Sequence, residues 1–397
     1  MTDSTAARLR RLWLNVHLWI GVGLAALLIP ISVSGGLLVF HDDIDALLHP
    51  SRYAVSGGNI SMPPAAYIAK AAEAVRNEPG NLQVTGLRYP EEAGRPLQAM
   101  ARAQSRDGGG RPRFLTVFLD PATGAVLDVM DFRASIFGFL HVFHENLMLP
   151  QYSGRQIVGW AGLGMLILSL TGIWLWWPRN ARSWGAVLRG LRWTRSSRFT
   201  FNLHHLLGFW IAIPLAVVSF TGIYLSFPQT ARTVMSSVAA MNPQGGRGGF
   251  GEVARQITLT PDAALELALK AEPGAQPKAL FLPTQPRGER GAASWRIQMA
   301  RFASGDIVTV VVDDRSGKAT VTAPQPGDRA ASWMRWIHEG SHSGGLWAVI
   351  VFLTGIFPTI FAVTGVIMWL RKRSTRKALE NKGFDGKRGR TQLHAAE

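Results

Sequence analysis

Histidines cluster at the ends of the apolar segments in this 397-residue chain. Eight of its ten histidines lie at such an end or on the approach to one: His17, His41, His141, His144, His204, His205, His338 and His342. An ionisable side chain beside hydrocarbon is costly and marks a functional site by default. Imidazole binds zinc, copper and iron, so these positions are candidate ligands of a metal or a metal cofactor.

The chain contains no cysteine. This excludes disulfides, iron–sulfur clusters, thiolate-bound metals and the covalently attached c-type haem, which requires a Cys-x-x-Cys-His motif. Any metal or cofactor must therefore be held by histidine, methionine, carboxylates or the backbone.

Four apolar stretches are long enough to cross a bilayer, which takes about 20 residues. They cover residues 12–40, 156–177, 203–227 and 346–370. The first is too long for a cleaved signal peptide, and no small-residue cleavage site follows Phe40, so we expect a retained membrane anchor. The sequence predicts a polytopic α-helical membrane protein with four transmembrane helices.

Basic residues are concentrated in three segments that flank these spans. Residues 1–11, 178–202 and 371–397 hold 18 of the 42 Lys and Arg but only four of the 26 acidic residues. Cytoplasmic flanks carry such an excess, so both termini and the loop 178–202 are predicted in the cytoplasm. Residues 41–155 and 228–345 then form two domains on the other side. The net charge of +16 is explained by topology, and nucleic-acid binding is not required.

The chain repeats itself. Leu14–Gly21 matches Phe201–Gly208, including one histidine, and Leu170–Trp174 matches Val363–Ile367. The sequence between these matches also repeats, so the chain reads as two copies of a unit made of helix, external domain and helix. Both copies have the same orientation, which predicts a parallel repeat about an axis along the membrane normal.

Each span also contains a Ser/Thr-Gly pair. The four pairs are Ser34-Gly35, Thr171-Gly172, Thr221-Gly222 and Thr364-Gly365. Such pairs are typical of close helix packing. Alternatively, the glycine leaves room for a flat cofactor beside the backbone.

The two external domains have the pattern of small α+β units. Residues 63–77 and 260–272 begin near a proline and continue Ala-rich, which predicts helices. Phe114–Leu119 and Ile307–Val312 predict strands, each followed by an Asp-x-x-Thr/Ser-Gly turn and a further strand.

The repeat arranges the histidines in two layers. His17 and His204 occupy equivalent positions near the cytoplasmic ends of spans one and three, and can face each other. Outside, His141/His144 and His338/His342 are spaced so that each pair shares one helical face. Which member of each external pair is the ligand is left open.

Two imidazoles from facing helices at one depth hold a b-type haem without cysteine, so one haem at each membrane face is favoured. The alternative is a zinc or copper site formed by the outer histidines alone, which gives His17 and His204 no role. His205 has no counterpart in the other copy, and His41 matches Pro228, so both are weaker candidates.

The duplicated order of spans, Asp-x-x-Thr/Ser-Gly hairpins and late Ser/Thr-Gly pairs resembles the PepSY-associated transmembrane family over roughly residues 8–376. The resemblance implies an inner-membrane protein of a Gram-negative bacterium, with two PepSY-like domains in the periplasm. It also implies a ferrisiderophore reductase with two b-type haems, which reduces Fe(III) in the periplasm with electrons from a cytoplasmic enzyme or quinol. Carried over to this chain, the axial ligands would be His17, His204, His141 and His338, with His144 and His342 as further cofactor-binding candidates.

Two other function classes are weighed against this one. PepSY-like domains also occur in protease-inhibitory modules, so a non-redox membrane scaffold for metal sensing or protease regulation is the alternative. Metal transport is poorly supported because no span contains a carboxylate along its middle.

Overall fold

The computed structural model describes residues 3–103, 113–149, 153–177, 199–243, 253–284, 293–302, 305–342 and 344–394. Most of the predicted basic loop 178–202 lies outside these residues. The chain divides into two units. The helix unit comprises Met1–Val39, Leu140–Ala231 and Trp333–Glu397, and the sheet unit comprises Phe40–Phe139 and Arg232–Ser332.

Among the described residues of the helix unit, four helices are long and apolar enough to cross a membrane, as the sequence predicts. They are α1 (Asp3–Val39), α5 (Gly154–Trp176), α6 (Phe199–Ser226) and α10 (Gly345–His394). Many of their large apolar side chains are exposed: Trp160 on α5 is 63% exposed and Ile213 on α6 is 66% exposed. Contact of this much apolar surface with water would be unfavourable. A lipid environment removes that penalty, so the helix unit is that of a multi-pass membrane protein.

The four spans pack as a bundle in which α1 contacts α5 and α10, and α6 contacts the same two helices. The backbones of α1 and α10 approach each other closely at two glycines. A Cβ added to Gly355 would lie 2.5 Å from the Cα of Gly36 and 2.7 Å from the carbonyl oxygen of Ser32. Small residues let the two backbones approach in this way. On the α5–α6 side, Gly162 faces the carbonyl oxygen of Ser219, which is the counterpart of Ser32 in the repeat.

Two shorter helices follow the sheet strands and lead into spans α5 and α10. Helix α4 (Ile136–Asn146) carries His141 and His144, and helix α9 (Pro326–Glu339) carries His338. Two others follow spans α1 and α6, namely α2 (His41–Leu48) and α7 (Pro228–Val238). The helices α3 (Pro64–Ala74) and α8 (Pro261–Ala271) lie within the stretches predicted as helical, and each begins with the proline that suits a first helical position.

The sheet unit contains eight strands in one antiparallel sheet of order β4-β3-β2-β1-β5-β6-β7-β8. The strands are β1 (Leu82–Arg88), β2 (Leu97–Ala103), β3 (Phe114–Leu119), β4 (Val126–Asp131), β5 (Gln276–Phe281), β6 (Ser294–Ala300), β7 (Ile307–Asp313) and β8 (Ala319–Thr322). The two α+β domains expected from the sequence therefore share one sheet, with β1 paired to β5.

The junction between the two halves depends on a glycine. Gly86 of β1 lies opposite Phe281 of β5, and a Cβ at Gly86 would lie 2.5 Å from the carbonyl oxygen of Leu280. One apolar core then covers both halves, because α3 and α8 contribute Tyr67 and Ala264 to the same buried cluster. A backbone hydrogen bond from Ala65 to the Asp262 carboxylate also joins the two helices. Pairing the strand edges removes two exposed edges that would otherwise attract other chains.

Candidate functional site

His17 of α1 and His204 of α6 face each other within the helix unit, with ring centroids 6.4 Å apart and ring planes at 77°. We refer to them as the inner pair. Both rings lie among the spans, and Phe361 of α10 packs 5.1 Å from the His204 ring. The structure thus brings together the two histidines that the repeat places in equivalent positions.

Each inner histidine is held by a threonine of a second span. Nδ1 of His17 lies 2.9 Å from Oγ1 of Thr171, and Nδ1 of His204 lies 2.8 Å from Oγ1 of Thr364. Both threonine hydroxyls donate to backbone carbonyls one turn earlier in their own helices. Each Oγ1 is therefore left to accept from the histidine, which fixes the proton on Nδ1 and leaves the lone pair on Nε2.

His144 of α4 and His338 of α9 form a second pair, the outer pair, with ring centroids 6.1 Å apart and ring planes at 36°. Nδ1 of His144 donates to the carbonyl oxygen of Ile31 on α1 over 2.8 Å. Nδ1 of His338 lies 3.0 Å from the carbonyl oxygen of Val218 on α6 and 3.2 Å from Oγ1 of Thr221. A carbonyl only accepts hydrogen bonds, so these two rings also carry the proton on Nδ1.

Burial keeps the outer rings neutral. Loss of solvation lowers the pKa of His144, and burial beside His144 lowers the pKa of His338 to about 4. The neutral imidazole is the form that binds a metal.

The four Ser/Thr-Gly pairs each support one of these histidines. A Cβ at Gly35 would lie 2.5 Å from Cε1 of His144, and one at Gly222 would lie 2.9 Å from Cε1 of His338. The glycines beside the inner pair are less tight, at 3.5 Å from His17 for Gly172 and 3.9 Å from His204 for Gly365. The sequence suggested either helix packing or room for a cofactor. The structure shows a third role, in which the glycine makes room for an imidazole ring.

The remaining candidate histidines lie outside the two pairs. The side chain of His141 is 58% exposed and lies 4.0 Å from the Glu145 carboxylate. His342 stacks on Trp336 at 4.3 Å and adopts the left-handed backbone conformation, with φ of 60°. Of the external pairs left open by the sequence, the structure brings together His144 and His338, and His141 and His342 lie outside this pair.

His41 and His205 have aromatic neighbours. His41 packs against Phe137 in the sheet unit. His205 stacks on Phe201 and lies 5.8 Å from the ring of Trp176. Neither contributes to the inner or the outer pair.

The two pairs lie at different positions along α1 and α6: the inner histidines belong to these helices, and the outer histidines pack against them. Gly35, which contacts His144, follows His17 on α1 by 18 residues, and Gly222 follows His204 on α6 by the same number. Eighteen residues of helix span about 27 Å, close to the thickness of the hydrocarbon layer.

The donor set indicates which metal group fits. No group of three or more His, Cys, Asp or Glu side chains converges among the described residues, so these residues offer no complete bare zinc or copper site. Two opposed imidazoles do suit the iron of a haem, whose macrocycle supplies the other ligands. An imidazole nitrogen lies about 2 Å from its metal, so two such rings on one iron have centroids roughly 6 Å apart. Both pairs match that separation.

Sequence reasoning missed the groups that hold the histidines. In the sequence, Thr171 and Thr364 stand out only as members of small-residue pairs. The carbonyls of Ile31 and Val218 leave no mark on the residue pattern, because any residue supplies a carbonyl. In three spans, a threonine directly precedes the glycine that contacts a histidine ring. This repeated pattern is the signal that the sequence offers.

Comparison with known proteins agrees with the resemblance noted from the motifs. The model of the PepSY-associated TM region matches residues 14–372, which include all four paired histidines, the whole of α5 and α6, and part of α1 and α10. No curated protein matches the chain. The chain therefore belongs to the PepSY-associated transmembrane family.

Proposed function

We propose that this membrane protein moves electrons across the bilayer through two b-type haems and reduces a ferric siderophore on the periplasmic side. The observation that carries the proposal is the set of two facing histidine pairs, one on α1 and α6 and one packed against the same two helices about 27 Å further along. His17 and His204 would hold one haem, and His144 and His338 the other. Bis-histidine haem supplies reversible one-electron transfer in such sites.

The residues of the chain prepare each site before the cofactor arrives. Thr171 and Thr364 fix the tautomer and orientation of the inner imidazoles, and two backbone carbonyls do the same for the outer pair. Such partners also raise the basicity of the ligating nitrogen and so tune the potential. In each of the four rings the hydrogen bond to the protein uses Nδ1, so Nε2 is the nitrogen that would bind the iron.

The substrate assignment rests on the resemblance. Siderophores hold Fe(III) far more tightly than Fe(II), so transfer of one electron to the chelated iron releases it for uptake. The electron comes from a cytoplasmic enzyme or a quinol on the His17/His204 side. The expected location is the bacterial inner membrane.

A reduced-minus-oxidised spectrum of the purified protein tests the cofactor. We expect low-spin b-type bands and two haems per chain. A colourless protein after expression with ample haem supply would contradict the proposal and favour the non-redox scaffold for metal sensing or protease regulation.

Sealed vesicles containing the haem-loaded protein test the reaction. A reductant is placed on the side of the inner pair and a ferric siderophore on the other, with a ferrous chelator as reporter. We expect Fe(II) to appear only in vesicles with protein. A His17→Ala variant should stop the transfer, whereas the matched His342→Ala variant should preserve it. Haem-loaded protein that transfers no electrons to the chelate would overturn the substrate assignment while leaving the haem assignment intact.

A further inference from the structure

Trp176, the last residue of α5, is only 8% exposed, and its indole Nε1 has no hydrogen-bond partner among the described residues. A buried donor without an acceptor destabilises the folded chain, because it has lost its hydrogen bond to water. The indole ring itself is well packed, with the Phe209 ring 4.1 Å away. The ring position is thus explained by packing, but the unpaired N–H is not.

A cationic side chain reaches the same end of α5. The Arg10 guanidinium donates to the carbonyl oxygen of Leu175, the residue before Trp176, over 2.9 Å. This bond uses one of the five N–H groups of the guanidinium. Both donors therefore lie at the end of α5, where the Trp176 ring is 5.8 Å from the ring of His205.

The apolar parts of the four spans offer no acidic side chain as an acceptor. The segments 5–39, 153–177, 199–226 and 345–376 contain neither Asp nor Glu. A bound molecule would supply the acceptor that these segments lack. A carboxylate fits best, because it pairs with arginine and accepts a charge-assisted hydrogen bond from an indole.

The place lies next to the inner pair. Arg10 precedes His17 by seven residues, or two turns, and so shares its face of α1. Trp176 follows Thr171, the partner of His17, by five residues, which is about 7.5 Å along α5. A haem has two carboxylate arms on one edge of its macrocycle, and this place lies between the inner pair and the end of the helix.

We infer that Trp176 Nε1 and Arg10 bind a carboxylate arm of the haem held by His17 and His204. This inference rests on the proposed function, because it requires a haem at the inner pair. The two residues would fix the rotation of the macrocycle about the axis between the two imidazoles, which the imidazoles alone leave undetermined. They would act as positioning residues for the inner haem only.

The Trp176→Phe variant removes the N–H and keeps an aromatic ring in the packed position. We expect haem loss from the inner site to be about tenfold faster, from the loss of one hydrogen bond to a charged group. The midpoint potential of the inner haem should also shift, while that of the outer haem should not. Trp174→Phe is the matched control, since Trp174 lies two residues away on α5 and is 43% exposed. It should behave as the wild type.

Reconstitution of the apoprotein with haem dimethyl ester tests whether the contact is with a carboxylate. Wild type and Trp176→Phe should then lose the ester at the same rate, because the ester removes the charge that the indole contacts. Inner haem that is bound equally well by Trp176→Phe and wild type would overturn the inference and leave the haem assignment standing. Failure of the wild type to bind any haem would instead overturn the proposed function.

Discussion

At the residue scale, each of the four paired histidines forms a hydrogen bond with the protein through one ring nitrogen. This nitrogen is Nδ1 in every case, and its partner is a threonine hydroxyl or a backbone carbonyl. This uniformity makes the four rings chemically alike although they come from four different helices. His141 and His342, which have the same residue type and a similar position in sequence, lie outside the pairs.

Thr171→Val removes the group that orients His17. We expect the inner site to lose roughly tenfold or more in haem affinity, because the loss of such supporting partners typically costs that much. Thr171→Ser keeps the hydroxyl and should restore most of the affinity. The measurement is haem titration of the apoprotein followed at the inner-site bands. Equal affinity in wild type and Thr171→Val would show that this hydrogen bond does not position the ligand.

Gly35→Ala tests the space that the glycine leaves for His144. The added Cβ would lie 2.5 Å from the His144 ring, so the ring must move and the outer haem should be lost or weakly bound. Gly365→Ala is the contrasting variant, because its Cβ would lie 3.9 Å from the His204 ring, an ordinary contact. It should keep both haems. Haem content per chain distinguishes the two, and full loading of Gly35→Ala would argue against the observed packing.

At the element scale, the long helices do two tasks at once. Helix α1 supplies His17 to the inner pair and the Ile31 carbonyl and Gly35 to the outer pair. Helix α6 supplies His204 to the inner pair and supports His338 through Val218 and Gly222. The spacing between the two sites is therefore fixed by the rigid rise of a helix.

The crossing of α1 and α10 at Gly36 and Gly355 keeps this arrangement in register. Gly355→Ala would force its Cβ onto the Gly36 backbone, and overpacking of this kind costs about 1–3 kcal/mol. We expect a lower midpoint of thermal unfolding in detergent. Gly208→Ala on α6 meets no atom within 4 Å and serves as the control. A Gly355→Ala protein as stable as the Gly208→Ala protein would contradict the close crossing.

At the scale of the whole molecule, the number of spans, the inner pair and the family followed from the sequence. Span length, the basic flanks and the repeated segments Leu14–Gly21 and Phe201–Gly208 are local patterns that can be recognised without knowledge of the fold. The pairing of His144 and not His141 with His338 could not be predicted, because both share one helical face and their different contacts appear only in the folded structure.

The joined sheet was equally hidden from the sequence. Each half shows its own strands and turns, but pairing of β1 with β5 depends on the close approach at Gly86, which no periodicity reveals. The internal duplication remains an inference from the sequence. The mirrored strand order around the β1–β5 junction and the matching glycine contacts are in keeping with it.

The most direct test of the account counts haems in single-histidine variants of the full-length protein. His17→Ala should remove one haem and its spectral bands, and His144→Ala should remove the other, so that each retains one haem per chain. The matched variant His141→Ala, three residues from His144 on the same helix, should retain both. Loss of a haem in His141→Ala with full loading of His144→Ala, or two haems retained in His17→Ala, would contradict the two facing pairs as the cofactor sites.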